Sequence, residues 1–256
     1  MMPSVYAPKD FKRLRASGDV VARCFEFITP HIRAGISTGD IDNMVAKFLA
    51  DNGAKSSSLG YQGFPKHCCT SVNDVIVHGI PNDKEILKEG DIVNVDLTAE
   101  YHGFHGDASR MFMIGRVSDK AREIVNTCRD AMNAAIAICA PGVPLSEIGK
   151  TIEAVVKPHG FSISRDFVGH GIGKVMHDDP QIYHFYDKSQ DKIKMVPGLV
   201  FTIEPMINAG SAKCKIDADG WTARTIDGTL SAQWEQTIGI TEDGAIIFTE
   251  RAAFGE

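Results

Sequence analysis

Asp96, Asp107, His170, Glu204 and Glu235 are widely spaced in the chain, and each sits in a strand-like or glycine-flanked segment. Asp96 closes the run Ile92-Val93-Asn94-Val95-Asp96. Glu204 closes Val200-Phe201-Thr202-Ile203-Glu204, just before Pro205. A carboxylate ending a β-branched run is expected to be partly buried, and a buried carboxylate must be paired or bind metal. Four carboxylates and one imidazole would make an oxygen-rich site with room for two divalent ions. Two metals a few Å apart activate water and polarise a carbonyl together.

Taken singly, each position also has a plain reading. Tyr101-His102-Gly103-Phe104 reads as a hairpin turn, which would bring Asp96 and Asp107 together on neighbouring strands. Two like charges at close range resist ionising together unless a cation lies between them. Asp107 alone reads equally as a solvated turn acid. His170 lies in Gly169-His170-Gly171-Ile172-Gly173, where glycines permit unusual backbone angles and close approach. His177 reads as a loop histidine or as a second group facing the same cleft. His78 ends the apolar run Val75-Ile76-Val77 and reads as a satisfied core histidine or as a substrate-facing donor. Glu235, in Ser231-Ala232-Gln233-Trp234-Glu235-Gln236-Thr237, reads as an exposed glutamate on one continuous strand.

The elements that must position these groups occur twice. Phe11, Leu14, Val21, Phe25 and Ile28 give a helical stripe stopped at Pro30. A second helix carries Ile41, Met44, Val45, Phe48 and Leu49 and ends near Asn52-Gly53. A third runs from about Asp119 to Cys139. A fourth carries Leu145, Ile148, Ile152 and Val155 and ends at Pro158-His159-Gly160. Gly35, Asp40-Ile41 and Gly53 match Gly142, Glu147-Ile148 and Gly160 at an offset of 107 residues. The segments ending in Asp96 and Glu204 match at an offset of 108. Two copies cannot make a solenoid. The pattern predicts one domain over residues 1–256, with pseudo-twofold halves at about 8–116 and 117–250. A central curved antiparallel sheet would be covered on one side by helices, an α/β (α+β) arrangement in which equivalent acids meet near the axis.

Composition narrows the class. A formal charge of −6 argues against binding nucleic acid by bulk attraction. No apolar stretch approaches the ~20 residues that span a membrane. Met1-Met2-Pro3-Ser4 does not open like a signal peptide. The six cysteines show no Cys-x-x-Cys spacing, and Cys128 and Cys139 are expected on a helix as small core residues. Reduced thiols and a cytoplasmic location are expected.

The segments gain specificity as an ordered set. Cys69-Thr70-Ser71-Val72-Asn73-Asp74-Val75-Ile76-Val77-His78-Gly79-Ile80-Pro81, the Asp96/Asp107 hairpin, Gly169-His170-Gly171-Ile172-Gly173, Phe201-Thr202-Ile203-Glu204-Pro205-Met206 and Ser231-Ala232-Gln233-Trp234-Glu235 together resemble type I methionine aminopeptidases, from about residue 8 to residue 250. The resemblance implies the pita-bread fold and removal of the initiator methionine when the second residue is small. It implies that Asp96 chelates the first metal, that Asp107 and Glu235 bridge both, and that His170 and Glu204 complete the second site. The metals would be iron(II), manganese, cobalt or zinc.

It further implies Glu204 as general base, His177 as donor to the scissile carbonyl, and His78 at the scissile nitrogen or leaving group. The substrate's free α-amine would bind a metal, which restricts cleavage to the first residue. Tyr61, Phe64, Cys69, Phe167, His78 and Trp221 would form the methionine pocket, although Trp221 alone reads as ordinary packing. Thr98 would support the metals. The backbone at Asn73 and Val75, with Ser231, matches a monovalent-cation site. The expected partners are N-terminal methionyl peptides and nascent chains, with transient ribosome association and a monomeric state.

Ser58, Phe64 and Met176 depart from the family pattern, in which a cysteine, a tyrosine and an aromatic are usual. These changes touch the pocket wall and leave the ligands intact. The interval of 34 residues from His170 to Glu204 lacks the type II insertion, and no cysteine-rich zinc extension is expected at the N-terminus. Proline-specific peptidases share the ligand pattern but carry a further N-terminal domain. A metal-free binding protein of this fold would have lost ligands, and here none is missing. The bulky Met2 predicts that Met1 is retained, which an intact-mass measurement checks.

Overall fold

Four α-helices occupy the periodic segments of the computed structural model, which describes residues 4–250. The Met1-Met2 expectation falls outside those residues. Helix α1 (Pro8–Ile28) starts with Asp10 accepting from the Ala7 N–H, and a 3₁₀ turn through Pro30 follows it. Helix α2 (Thr38–Asp51) has a reciprocal cap: Ser37 accepts from the Asp40 N–H while Asp40 accepts from the Ser37 N–H. Ser118 caps α3 (Asp119–Ala137) in the same manner on one side. Helix α4 (Ser146–Val156) runs into a 3₁₀ turn at Pro158.

Two details differ from expectation. Cys139 is buried but lies just beyond α3, and Val156 rather than Val155 is fully buried with Ile148 and Ile152 of α4.

The strands, in chain order, are β1 (Lys55–Ser56), β2 (Cys69–Val72), β3 (Val75–Val77), β4 (Ile92–Tyr101), β5 (Phe104–Met113), β6 (Ser162–Ile163), β7 (Gly169–Gly171) and β8 (Asp178–Ile182). They continue as β9 (Val200–Ile203), β10 (Met206–Asn208), β11 (Cys214–Ile216), β12 (Ala223–Thr225), β13 (Ser231–Gln233), β14 (Glu235–Thr241) and β15 (Gly244–Ile247). The central sheet is antiparallel in the order β1-β4-β5-β14-β9-β7-β8, with β2 added on β4 and β15 on β14. Two small sheets, β13-β10-β6 and β11-β12-β3, were not expected.

The stretch 231–237 is not one strand. It breaks at Trp234, where β13 leaves for a small sheet and β14 joins the central one. The break turns Glu235 inward, so it is buried rather than exposed.

Side-chain alternation explains the layering. Val93, Val95, Leu97 and Ala99 of β4 pack with Val21, Phe25, Ile41 and Val45 of α1 and α2. Phe201 and Ile203 of β9 and Ile238 and Ile240 of β14 pack with Ile124, Cys128, Ile148 and Ile152 of α3 and α4. All four helices thus cover one face of a curled antiparallel sheet, which is the pita-bread arrangement. The intervening residues of the same strands, Asn94, Asp96 and Thr98 or Thr202 and the adjoining Glu204, face the other way. The β4-β5 hairpin turns through His102 (φ 52°) and Gly103 (φ 79°), a two-residue connection with both residues left-handed.

Candidate metal centre

Strand register converts scattered residues into two rows. Asp96 lies opposite Ser109 on β5, and Ser109 lies opposite Glu235 on β14. Gln236 pairs with Ile203, so Glu235 stands beside Glu204, one step past the end of β9. The first row therefore reads Asp96, Ser109, Glu235, Glu204. Two residues along, Thr98 lies opposite Asp107, and Thr237 opposite Thr202. The Thr237 hydroxyl accepts from the Asp107 N–H (3.0 Å) and donates to the Asp107 carbonyl (2.7 Å). The His170 N–H donates to Thr202 Oγ1 at 3.1 Å. The second row reads Thr98, Asp107, Thr237, Thr202, His170. All five residues expected as ligands lie on these rows and line one cleft of about 650 Å³.

Buried acids crowd the cleft floor. Asp107, Glu204 and Glu235 are 4%, 7% and 2% exposed, so the plain reading of Asp107 as a solvated turn acid fails. Burial pushes the carboxyls of Asp96, Glu204 and Glu235 well above their ordinary range, and their mutual repulsion with Asp107 adds to the rise. Asp107 is also raised by burial, with the Thr98 hydroxyl opposing the rise. Asp107 Oδ1 is buried with no hydrogen-bond partner among the described residues.

His170 Nδ1 lies 3.0 Å from the Gly171 carbonyl and donates to it, which turns the Nε2 lone pair into the cleft. Burial lowers its pKa to about 4, so the lone pair is present at neutral pH. Nε2 stands 3.8 Å from Asp107 Oδ2 and 3.7 Å from Glu204 Oε1, too far for hydrogen bonds. Ligand atoms of Asp107, His170 and Glu235 all lie within 4.8 Å of one another. Neutral imidazole, clustered carboxylates and an orphaned oxygen are a donor set that divalent cations fit. Asp96 and Glu204 border the three-residue cluster along the first row.

Supporting groups hold this set in place. Thr202 Oγ1 donates to Glu204 Oε1 (2.7 Å) and Gln233 Nε2 donates to Glu204 Oε2 (3.2 Å). Asn94 Nδ2 ties Ser109 Oγ (3.0 Å) to the Gln233 carbonyl (2.8 Å). The Glu204 N–H donates to the buried His184 Nε2 at 3.1 Å. The glycines beside His170 are needed for close approach, not for unusual angles. A Cβ on Gly169 would meet the Thr202 carbonyl at 2.5 Å, and one on Gly171 the Asp179 carbonyl at 2.1 Å.

The aromatic residues gather on one wall of the cleft. Tyr61, Phe64, Cys69, His78, Phe167 and Trp221 all line the cleft. Phe64 meets Trp221 edge-on with centroids 5.2 Å apart, and His78 meets Phe167 at 5.4 Å. Cys69 lies opposite Asp96 in the β2-β4 ladder, so the wall begins where the first row ends. His78 has φ 60° and a pKa lowered to about 4 by burial, then by His177. His177 is exposed at the cleft mouth, 4.2 Å from His170 between ring centroids. Its pKa is lowered to about 4, chiefly because surrounding protein displaces water from the ring, then by His170.

Ser58 and Met176 also line the cleft. Thr202, Gln233 and His184 were missed from sequence. Thr202 was discoverable, since it alternates with Phe201 and Ile203 onto the face of Glu204. Nothing in Tyr183-His184-Phe185 marks His184.

A model of metallopeptidase family M24 matches residues 12–242. Methionine aminopeptidase of Escherichia coli (strain K12) is 41% identical over 252 residues, 98% of this chain and 95% of that protein. The crystal structure of methionine aminopeptidase from Rickettsia prowazekii superposes with a TM-score of 0.94 at 42% identity, covering 97% of this chain and all of that one. Prolidase from Pyrococcus furiosus, 21% identical with a TM-score of 0.76, shares the fold, and this chain spans 66% of its length. The chain belongs to metallopeptidase family M24, on its methionine aminopeptidase branch.

Proposed function

We propose that the cleft releases the initiator methionine from chains whose second residue is small, with two divalent ions held on the paired rows. The observation that carries this is the register that brings Asp96, Asp107, His170, Glu204 and Glu235 to one cleft floor beside an aromatic pocket. Asp96 would serve one ion, His170 and Glu204 the other, and Asp107 and Glu235 both. Divalent ions so held supply a Lewis acid and lower the pKa of bound water.

The chain's own residues do the rest. Glu204, fixed by Thr202 and Gln233, takes the proton of the attacking water. His177 donates to the scissile carbonyl oxygen as charge develops there. His78, neutral and half-buried between Phe167 and Trp221, contacts the scissile nitrogen or assists the leaving group. The methionine side chain fills the space among Phe64, Phe167, Cys69 and Trp221, with Tyr61 at its edge. A free α-amine bound to an ion held on this floor would restrict removal to one residue.

The same reading makes 1–256 a single catalytic domain with halves near 8–116 and 117–250. It makes the ions iron(II), manganese, cobalt or zinc, chosen by availability. A monovalent cation would sit by Asn73, Val75 and Ser231, where the Ser231 N–H already donates to the Asn73 carbonyl at 2.8 Å. The family resemblance adds a monomeric state and transient ribosome contact on nascent chains, and the reduced thiols add a cytoplasmic location. Among the described residues no helix is long and apolar enough to cross a membrane.

The test is release of methionine from Met-Ala-Ser and Met-Leu-Ser by chelator-treated protein, with and without cobalt or manganese, beside Asp107→Ala. Metal-dependent release from the first peptide only, abolished in the variant, is expected. Cleavage of an Xaa-Pro peptide instead would move the assignment to the proline-specific branch. No release with any metal would leave a non-catalytic binding protein.

A further inference from the structure

We infer that Tyr61 is a positioning residue for His177: its hydroxyl donates to Nδ1 and holds the ring in the tautomer whose Nε2–H faces the scissile carbonyl. This rests on the reading of His177 as the carbonyl's donor. Tyr61 Oη lies 2.8 Å from His177 Nδ1, with ring centroids 5.0 Å apart. No other hydrogen bond engages the Tyr61 hydroxyl among the described residues. A neutral imidazole carries one N–H, and the hydrogen bond made by one nitrogen decides whether the other donates. A tyrosine hydroxyl donating to Nδ1 places the proton on Nε2. The pocket role of Tyr61 needs only its ring, so the hydroxyl is free for this second task.

The surrounding loops are built to hold the pair in register. Tyr61 sits between Gly60 (φ 83°) and Gln62 (φ 46°), with Gly63 (φ 90°) following. A glutamine in the left-handed region is strained and persists only when neighbours over-determine it. Here Gly60 N–H donates to the Phe64 carbonyl and Phe64 N–H to the Tyr61 carbonyl, both at 2.8 Å, closing the turn on itself.

His105 then ties this loop to the one carrying His177. Ser57 Oγ lies 2.7 Å from His105 Nδ1, and the His105 N–H donates to the Gly173 carbonyl at 2.7 Å. The next N–H, that of Lys174, donates to the Tyr6 hydroxyl at 3.0 Å. One histidine on β5, two residues before Asp107, therefore anchors both lips of the cleft. Their tips meet in the Tyr61–His177 hydrogen bond.

Tyr61→Phe keeps the ring and removes only the hydroxyl. Steady-state kinetics on Met-Ala-Ser should show kcat lowered about tenfold or more, with KM within about twofold, since the interaction matters most as charge develops. In a His177→Ala background the same change should have no further effect, because the hydroxyl acts through the imidazole. Long-range ¹H–¹⁵N spectra of ¹⁵N-histidine-labelled protein, zinc-loaded and metal-free, should show His177 protonated on Nε2. In Tyr61→Phe the signal should shift toward a mixture of tautomers. An unchanged kcat with raised KM would make Tyr61 a pocket wall only. An equal loss in both backgrounds, or a His177 that carries its proton on Nδ1, would also overturn the assignment. Full kcat in His177→Ala alone would instead remove the parent reading of His177, a result distinct from failure of Tyr61→Phe in an enzyme that needs His177.

Discussion

Asp96, Asp107, His170 and Glu235 sit inside paired strands, whereas Tyr61, Phe64, His177 and Trp221 sit in the loops between them. Backbone ladders hold Asp96 on both sides and the other three on one, and the hydroxyls of Thr237 and Thr202 complete the pairing of Asp107 and His170. The loop residues meet through ring edges and one hydrogen bond. On the proposed assignment, the contrast follows from what each would hold. Cations tolerate little displacement of their ligands, so ligands belong on strands whose register is fixed by buried faces. A flexible methionine side chain needs only an apolar wall of about the right size, and loops can supply one.

Substitutions on the two sides should therefore fail in different ways. The largest effect is expected from Glu204→Gln, which keeps the shape and removes the base. Its kcat should fall about 10²–10⁴-fold, while calorimetric metal titration finds the ion at His170 weakened but both sites still filled. Loss of all metal binding in that variant would mean that Glu204 is mainly a ligand.

Next is Thr202→Val, which keeps volume but removes the bonds to Glu204 Oε1 and the His170 N–H. Metal affinity should weaken about 10–100-fold, the usual cost of losing an outer-shell partner. An unchanged titration would show that the strand ladder alone fixes these ligands.

The pH dependence of stability sharpens the comparison further. In chelator-treated protein the folded pKa values of Asp96, Glu204 and Glu235 lie above the ordinary 3.8, 4.5 and 4.5. The folded state then binds more protons, so these groups stabilise below their unfolded pKa and lose that contribution as pH rises. Bound cations reverse this dependence, since they require the ionised form. The rise in melting temperature on adding manganese should grow from pH 5.5 to 7.5. His184 acts oppositely in both forms. Burial lowers its pKa from 6.5 to about 3, so stability declines as pH falls between those values. A manganese-induced shift independent of pH would count against clustered acids as the ligands.

The smallest effect is expected on the loop side. Trp221→Ala should raise KM several-fold with kcat little changed, because the pocket binds ground state and transition state alike. A large kcat defect would show that the wall also places the scissile bond.

The sequence reading worked where chemistry and periodicity coincided. Asp96 and Glu204 end β-branched runs, and the four helices carry visible stripes and stops. The hairpin at His102-Gly103 was legible from its turn residues. Less visible was everything set by cross-strand register. Nothing local says that Ser109 lies between Asp96 and Glu235, or that Thr237 lies between Asp107 and Thr202. The break at Trp234 was hidden because 231–237 alternates as one strand would, and pairing with different neighbours decides where it ends. His184 owes its role to its place against the Glu204 N–H, a contact across 20 residues that no spacing rule predicts.

The rows of the cleft floor also carry a consequence for biogenesis. They run across β4, β5, β14, β9 and β7, and the Asn94–Gln233 hydrogen bond that braces them joins residues 139 positions apart. Contacts of such long range form late, after much loop-closure entropy has been overcome. During synthesis, Asp96 and Asp107 emerge long before Glu235. A cation-binding floor of this kind cannot exist on a half-made chain. Metal uptake by such a floor would therefore mark the end of folding, and a protein that removes methionine from the N-termini of other chains would become competent only once its own Glu235 had been made.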